Sequence, residues 1–280
     1  MAVSMSDRLL PGAIFLLAAC AAVPAAAERL PDGGTARAAG TGIVSARYED
    51  PTTRYDHGIL GDTVEAGALT ARDAGGAEHR VVLPASEVFE DLTPRLADLD
   101  GDGGAEIVTI RSSVSRGASL AVYGLRGGQL ELLAATPFLG RPHRWLCPAG
   151  IADFDSDGRL ELALVTTPHI GGTLEFWRLE QGRLRQIASL SGFSNHVIGS
   201  RDLSEAAAGD IDGDGSPELV LPDAARTSLV AVSLRGGRAA ILDARPVGSA
   251  ISGPVRLSGR TADVQTALGQ RAVTFVVPNR

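Results

Sequence analysis

The chain contains no lysine; all 26 of its Lys or Arg positions are arginine. That excludes Schiff-base chemistry and a lysine general base. Cysteine is almost as scarce, with only Cys20 and Cys147. Two thiols make neither a disulfide framework nor a zinc site, and a lone Cys147 reads as a small buried hydrophobe. There is no G-x-S-x-G elbow, no H-E-x-x-H, no P-loop and no G-x-G-x-x-G, so the commonest hydrolase, metalloprotease and nucleotide-site signatures are missing. Nor is there a basic stripe. The formal net charge is −7, which argues against nucleic acid as a partner. No long amphipathic helical pattern occurs, whereas 34 glycines and 15 prolines suit a turn-rich all-β chain.

The one long apolar run, LLPGAIFLLAACAAV, is too short and too rich in alanine to span a membrane. It follows Arg8 and precedes Ala25 and Ala27, an A-x-A cleavage pattern before Glu28. Residues 1–27 therefore read as a signal peptide, and the expected location is periplasmic or secreted. Leu17–Cys20, LAAC, also resembles a lipobox, so a lipoprotein anchored at Cys20 is the alternative, and the only expected membrane attachment.

Against these absences stand three acidic stretches. ADLDGDGGAEIV places Asp98, Asp100 and Asp102 at alternate positions, then Gly103, with Glu106 ninth. ADFDSDGRLELAL repeats the pattern with Asp153, Asp155, Asp157, Gly158 and Glu161, and GDIDGDGSPELVL with Asp210, Asp212, Asp214, Gly215 and Glu218. Three carboxylates can converge only if the chain curls tightly, which the glycine at position six permits. Position seven adds a backbone carbonyl, from Gly104, Arg159 or Ser216, and the ninth-position carboxylate closes the ring. An all-oxygen set of this kind suits Ca²⁺ better than Mg²⁺, up to three ions in all. Position twelve is Thr109, Leu164 or Leu221 instead of the EF-hand glutamate, and the apolar EIVTI, ELALV and ELVL that follow read as strands.

The loops open at Asp98, Asp153 and Asp210, 55 and 57 residues apart. Hairpins with turn glycines Gly76, Gly128, Gly182 and Gly237 keep nearly the same period, and Gly269 marks a shortened unit. Such a period signals a repeat architecture. The motif and its following strand resemble FG-GAP or VCBS-type repeats of integrin-like β-propellers. That resemblance implies an all-β propeller in which each loop joins the innermost strand of a blade to the second. The small residues Ala97, Ala152 and Ala206 to Gly209 fit a crowded inner strand. The expected layout is a flexible lead-in over 28–40, then five blades over 41–90, 91–142, 143–196, 197–248 and 249–280. The first keeps only Asp62 and Glu65 of a loop, in GDTVEAGAL. The strand TGIVSARY is expected to complete the last blade and close the ring, which removes free sheet edges.

Segments leading from one blade to the next carry the unusual side chains: Arg54 and His57; His143, Arg144 and Trp145; His196, Arg201 and Asp202. They are the candidate ligand face, a polar pocket for an anionic or sugar-like ligand, with the arginines binding charge and Trp145 stacking. The alternative is that they tie neighbouring blades together. No catalytic residue is assigned. The expected function is a calcium-binding binding, scaffold or adhesion module for a protein or glycan ligand. A small envelope hydrolase or lyase using the His and Arg face, or a lipid-anchored subunit of an envelope complex, are the alternatives.

Overall fold

The computed structural model describes Met1 and residues 27–277. Residues 2–26 of the expected signal peptide, including Cys20, lie outside the described residues. Among the described residues no helix is long and apolar enough to cross a membrane.

The fold is all-β, of the propeller class, and runs through successive antiparallel units. The first comprises β1 (Thr35–Arg37), β2 (Thr41–Thr52), β3 (Glu65–Asp73) and β4 (Glu78–Val82), and β5 (Glu87–Phe89) links it onward. The second comprises β6 (Arg95–Ala97), β7 (Gly104–Ser113), β8 (Gly117–Arg126) and β9 (Gln129–Ala135). Because β5 pairs with both β3 and β7, these two units form one nine-stranded sheet. The third is β10 (Leu146–Ala152), β11 (Glu161–Thr166), β12 (Thr173–Glu180) and β13 (Arg183–Ser191), and the fourth is β14 (Ala207–Gly209), β15 (Glu218–Pro222), β16 (Ser228–Arg235) and β17 (Arg238–Pro246). The last has three strands, β18 (Ile251–Ser258), β19 (Thr261–Thr266) and β20 (Gly269–Thr274).

The second strands form where the sequence is continuously apolar. Ile107–Ile110, Leu162–Val165 and Leu219–Leu221 are buried on both faces, as expected of strands packed between neighbouring sheets. The hairpins turn on glycines in the left-handed region, at φ 80° for Gly128, 74° for Gly182 and 73° for Gly237, a conformation that carries no Cβ penalty in glycine.

Four cores form, one between each pair of consecutive units. Tyr48, Leu69 and Phe89 meet Ile107 and Tyr123. Val108, Ile110 and Leu120 meet Leu146, Leu162 and Leu164. Phe154, Val165 and Phe176 meet Leu219, Leu221 and Val232, and Ile211, Val220 and Leu229 meet Val255, Val264 and Phe275. Each fully buried aliphatic or Phe side chain contributes about 1.5–3 kcal/mol. Inner strands stay small because the next unit presses on them. A Cβ on Gly150 would lie 3.4 Å from Leu219 Cδ1, and one on Gly209 would lie 3.3 Å from Leu257 Cδ1.

Three expectations need correction. Residues 28–40 are not a free lead-in: Arg29 bridges to Glu49, and Thr35–Arg37 pairs with Ser45–Arg47 as the edge strand of the first unit. The first unit's counterpart of the acidic loops is therefore Ala38–Gly40, which carries no acid. GDTVEAGAL instead leads from β2 into β3, and Asp62 ends in an ion pair with Arg201 at 2.7 Å. TGIVSARY does not complete the last unit. It is part of β2, which hydrogen-bonds to β1 and β3 and, through Thr41 and Gly42, to Gly104 and Ala105 of β7. Its two edges are thereby used, and β18–β20 remain a three-stranded sheet.

Candidate metal centres and the opposite cleft

The three acidic loops fold alike. In loop one, Asp98 accepts from the amides of Gly101 (2.8 Å) and Gly103 (3.0 Å), Asp100 from Asp102 N (3.2 Å), and Asp102 from Gly104 N (2.8 Å). Glu106 reaches back to Leu99 N at 2.9 Å. Loop three repeats the set: Gly213 and Gly215 to Asp210, Asp214 N to Asp212, Ser216 N to Asp214, and Ile211 N to Glu218. Loop two has Asp157 and Gly158 on Asp153, Arg159 N on Asp157, and Phe154 N on Glu161. The sixth-position glycines sit at φ 88°, 87° and 90° (Gly103, Gly158, Gly215), so the curl expected of them is present.

Each loop brings its first, third and ninth carboxylates together: Asp98, Asp100 and Glu106; Asp153, Asp155 and Glu161; Asp210, Asp212 and Glu218, with ligand oxygens within 4.8 Å of one another. Oxygens about 2.3–2.6 Å from a common Ca²⁺ stand no farther apart than roughly twice that, so the spacing fits one ion per loop. Asp102, Asp157 and Asp214 lie outside these trios and cap the turn. Gly104, Arg159 and Ser216 meet them through their amides, and their position-seven carbonyls remain an expectation. Buried glutamate is the costly member of each set. Burial pushes the Glu106 carboxyl up to about 7, the Leu99 amide opposes this, and Asp100, Asp102 and Asp98 add to it. Glu161 and Glu218 are raised too, again chiefly by burial.

The loops differ in their cations. In loop two the buried Arg178 donates to Glu161 (2.7 Å), Asp157 (2.8 Å) and Asp155 (3.0 Å). In loop three Arg235 donates to Asp212 and Glu218, both at 3.1 Å, and to Asp214. In loop one the half-exposed Arg126 reaches one acid, Asp100, at 3.3 Å. The three loops share one side of the molecule. Loops one and two line a common groove of about 560 Å³, and Ser156 of loop two donates to Ser216 of loop three at 2.8 Å.

Of the candidate ligand face, His57, His143, Arg144 and Trp145 line one cleft of about 230 Å³, together with Ile59, Thr167, Pro168, His169, Ile170 and Ile198. His57 and His143 stack at 4.9 Å between ring centroids, and Trp145 lies parallel to His169. Beneath them, Glu90 accepts from Ser112 and pairs with His57 Nδ1, and its backbone carbonyl accepts from Trp145 Nε1 at 3.1 Å. His196 is fully buried and bonded to His169 (3.0 Å) and Ser200 O (2.9 Å). Burial holds its pKa down to about 4, so it is a neutral imidazole at neutral pH. Arg144 lines the cleft and meets no carboxylate within ion-pair distance among the described residues, and no carboxylate lines the cleft. Three residues at or beside it, Asp56, His143 and Thr167, hold φ between 47° and 56°. That region is costly for a β-branched Thr and is concentrated at functional sites.

The remaining candidates are structural. Arg54 donates to Glu87 O at 2.8 Å, Arg201 pairs with Asp32 and Asp62, and Asp202 caps Ser204 N at 2.8 Å. Reading only the connections between units missed His169. It sits in the β11–β12 connection; Arg54 and His57, expected in a segment between units, instead lie in the corresponding β2–β3 connection within the first unit. A Pro-His pair between two strands was the only signal available.

Residues 153–221 match the family model of the FG-GAP-like repeat. That segment runs from the first aspartate of loop two through loop three into β15, more than one period. Over that span the chain is similar to the FG-GAP-like repeat. No curated protein matches the chain. Among solved structures it resembles the exotype rhamnogalacturonan lyase YesX (14% identity, TM-score 0.46, 90% of this chain and 57% of that one). It also resembles the rhamnogalacturonan lyase YesW (16%, TM-score 0.42, 89% and 57%). The chain therefore spans little more than half the length of either lyase.

Proposed function

We propose that this is an exported, calcium-stabilised propeller module that binds an anionic ligand, a glycan or a protein carboxylate, in the histidine-lined cleft opposite its acidic loops. The convergence of first, third and ninth carboxylates on one point carries the calcium half of this reading. Such clusters repel themselves without a cation, so binding and folding are linked. Where Ca²⁺ binds, it supplies charge neutralisation and a rigid joint between inner and second strands, and the chain's own carboxylates orient it. The calcium test is a thermal melt of the mature chain in excess EDTA, then with Ca²⁺ or Mg²⁺ restored. A large rise with Ca²⁺ and little with Mg²⁺ supports the reading; identical melts in all three would remove it.

The ligand half rests on Arg144, an uncompensated cation at the mouth of a cleft without acids, flanked by imidazoles and by exposed Ile170 and Ile198. His196 has both ring nitrogens bonded, to His169 and to Ser200 O, and is no candidate base. Screening acidic oligosaccharides and acidic peptides should give hits that Arg144→Ala abolishes while the melt stays put. Hits indifferent to that substitution would place the ligand elsewhere.

A further inference from the structure

Loop one and loop two differ most in the cation beside their carboxylates. In the third unit, Glu161 pairs across the strands with Arg178. From there the guanidinium enters the carboxylate cluster and spends its donors on three of the four acids. In the second unit the corresponding place is Gly124, where an added Cβ would lie 3.6 Å from Glu106 Cγ. Glycine puts no cation there, and Leu133 Cδ1, 2.6 Å from that Cβ position, fills the space beside it. Loop three takes its cation from two residues further along the hairpin. Arg235 is the last residue of β16, as Arg126 is of β8. Yet Arg235 reaches three acids and Arg126 only one.

We infer that the three cradles are not equivalent: loop one is the divalent-cation site, whereas Arg178 and Arg235 fill loops two and three as built-in guanidinium counter-ions. This rests on the calcium reading of the loops and deepens it. Arginine suits the role because its planar fork meets several carboxylates at once and keeps its charge at any working pH. A cation entering loop two competes with hydrogen bonds that Arg178 already makes to the same carboxylates. Losing the net worth of one charge-assisted hydrogen bond alone corresponds to roughly a tenfold weaker affinity. Loop one imposes no such exchange, since Arg126 is half-exposed and meets a single carboxylate oxygen. The third unit is thereby held together without calcium, while the joint between β6 and β7 depends on it.

Calorimetric titration and native mass spectrometry of the EDTA-stripped mature chain with Ca²⁺ test this. The wild type should take up one ion tightly, and Asp100→Asn should remove it. Arg178→Ala should add a second tight ion, and Arg178→Ala with Arg235→Ala a third, each at least about tenfold tighter than at the same loop in the wild type. Arg178→Gln serves in the same way if the alanine variant does not fold without metal. Three equal ions in the wild type, unchanged by the arginine substitutions, would overturn the counter-ion role and leave the calcium reading intact. No uptake by any variant would overturn both. Loss of the tight ion through Asp155→Asn in place of Asp100→Asn would assign the site to the wrong loop and refute the hierarchy.

Discussion

Glu205 lies fully buried between the third and fourth units, with Arg226 Nη2 2.5 Å from Oε2. Arg226 is itself held by Ser194 O (2.9 Å) and Ile251 O (2.6 Å), while Glu205 Oε1 has no hydrogen-bond partner. Burial lifts the Glu205 carboxyl to about 7; Arg226 opposes that and Asp202 adds to it. An unfolded glutamate titrates near 4.5. Between those values the folded chain holds a proton that the unfolded chain has released. The group's contribution to stability is therefore present below pH 4.5 and lost as pH rises through 7. A gap of about 2.5 in pKa is worth ~3 kcal/mol. Glu205→Gln keeps the shape and does not titrate. Its unfolding free energy relative to the wild type should rise by ~3 kcal/mol between pH 4.5 and 8. Urea titrations at half-unit pH steps, at fixed free Ca²⁺, measure this. A variant-to-wild-type difference that stays flat across that range would refute the claim that Glu205 is protonated in the fold near neutral pH.

His196→Gln should show the opposite slope. Burial lowers the His196 pKa to about 4 from an unfolded 6.5, so the wild type loses ~3 kcal/mol relative to the variant as pH falls from 6.5 to 4, read by the same titrations. Gly117→Ala should cost more than about 2 kcal/mol in a thermal or urea melt. Gly117 sits at φ 74°, and an added Cβ would come within 2.2 Å of Arg141 O and 2.9 Å of Arg144 O. The same substitution should weaken ligand binding by shifting Arg144, and unaltered stability would contradict the packing described.

The acidic loops and their period were legible because each local choice agreed: alternate aspartates, glycine at six, glutamate at nine, an apolar strand after. The first unit was not legible, for a physical reason. Its edge strand is Thr35–Arg37, and three residues carry no periodic pattern. Its register is set by pairing with Ser45–Arg47 across the sheet. The connection that would hold a metal loop there is Ala38–Gly40, with nothing to mark it. Likewise Arg178 reads in sequence as one arginine on a strand. Only the register with Glu161 turns it toward the acids. His169 joins the cleft through the β11–β12 connection, whose face is assigned by topology, not by spacing along the chain.

The four cores between consecutive units make the molecule behave as a row of coupled links. An inner link such as β10–β13 shares one core with each neighbour, whereas β18–β20 share a single core, with β14–β17. Stability in such a row is a sum of link terms and nearest-neighbour terms. Opening of the last link should therefore require far less free energy than opening of the third, and amide exchange should slow step by step from β19 inward to β11. Arg226, which bonds Ile251 at the start of β18 while paired with Glu205, then acts as the clasp on which attachment of that weakest link depends.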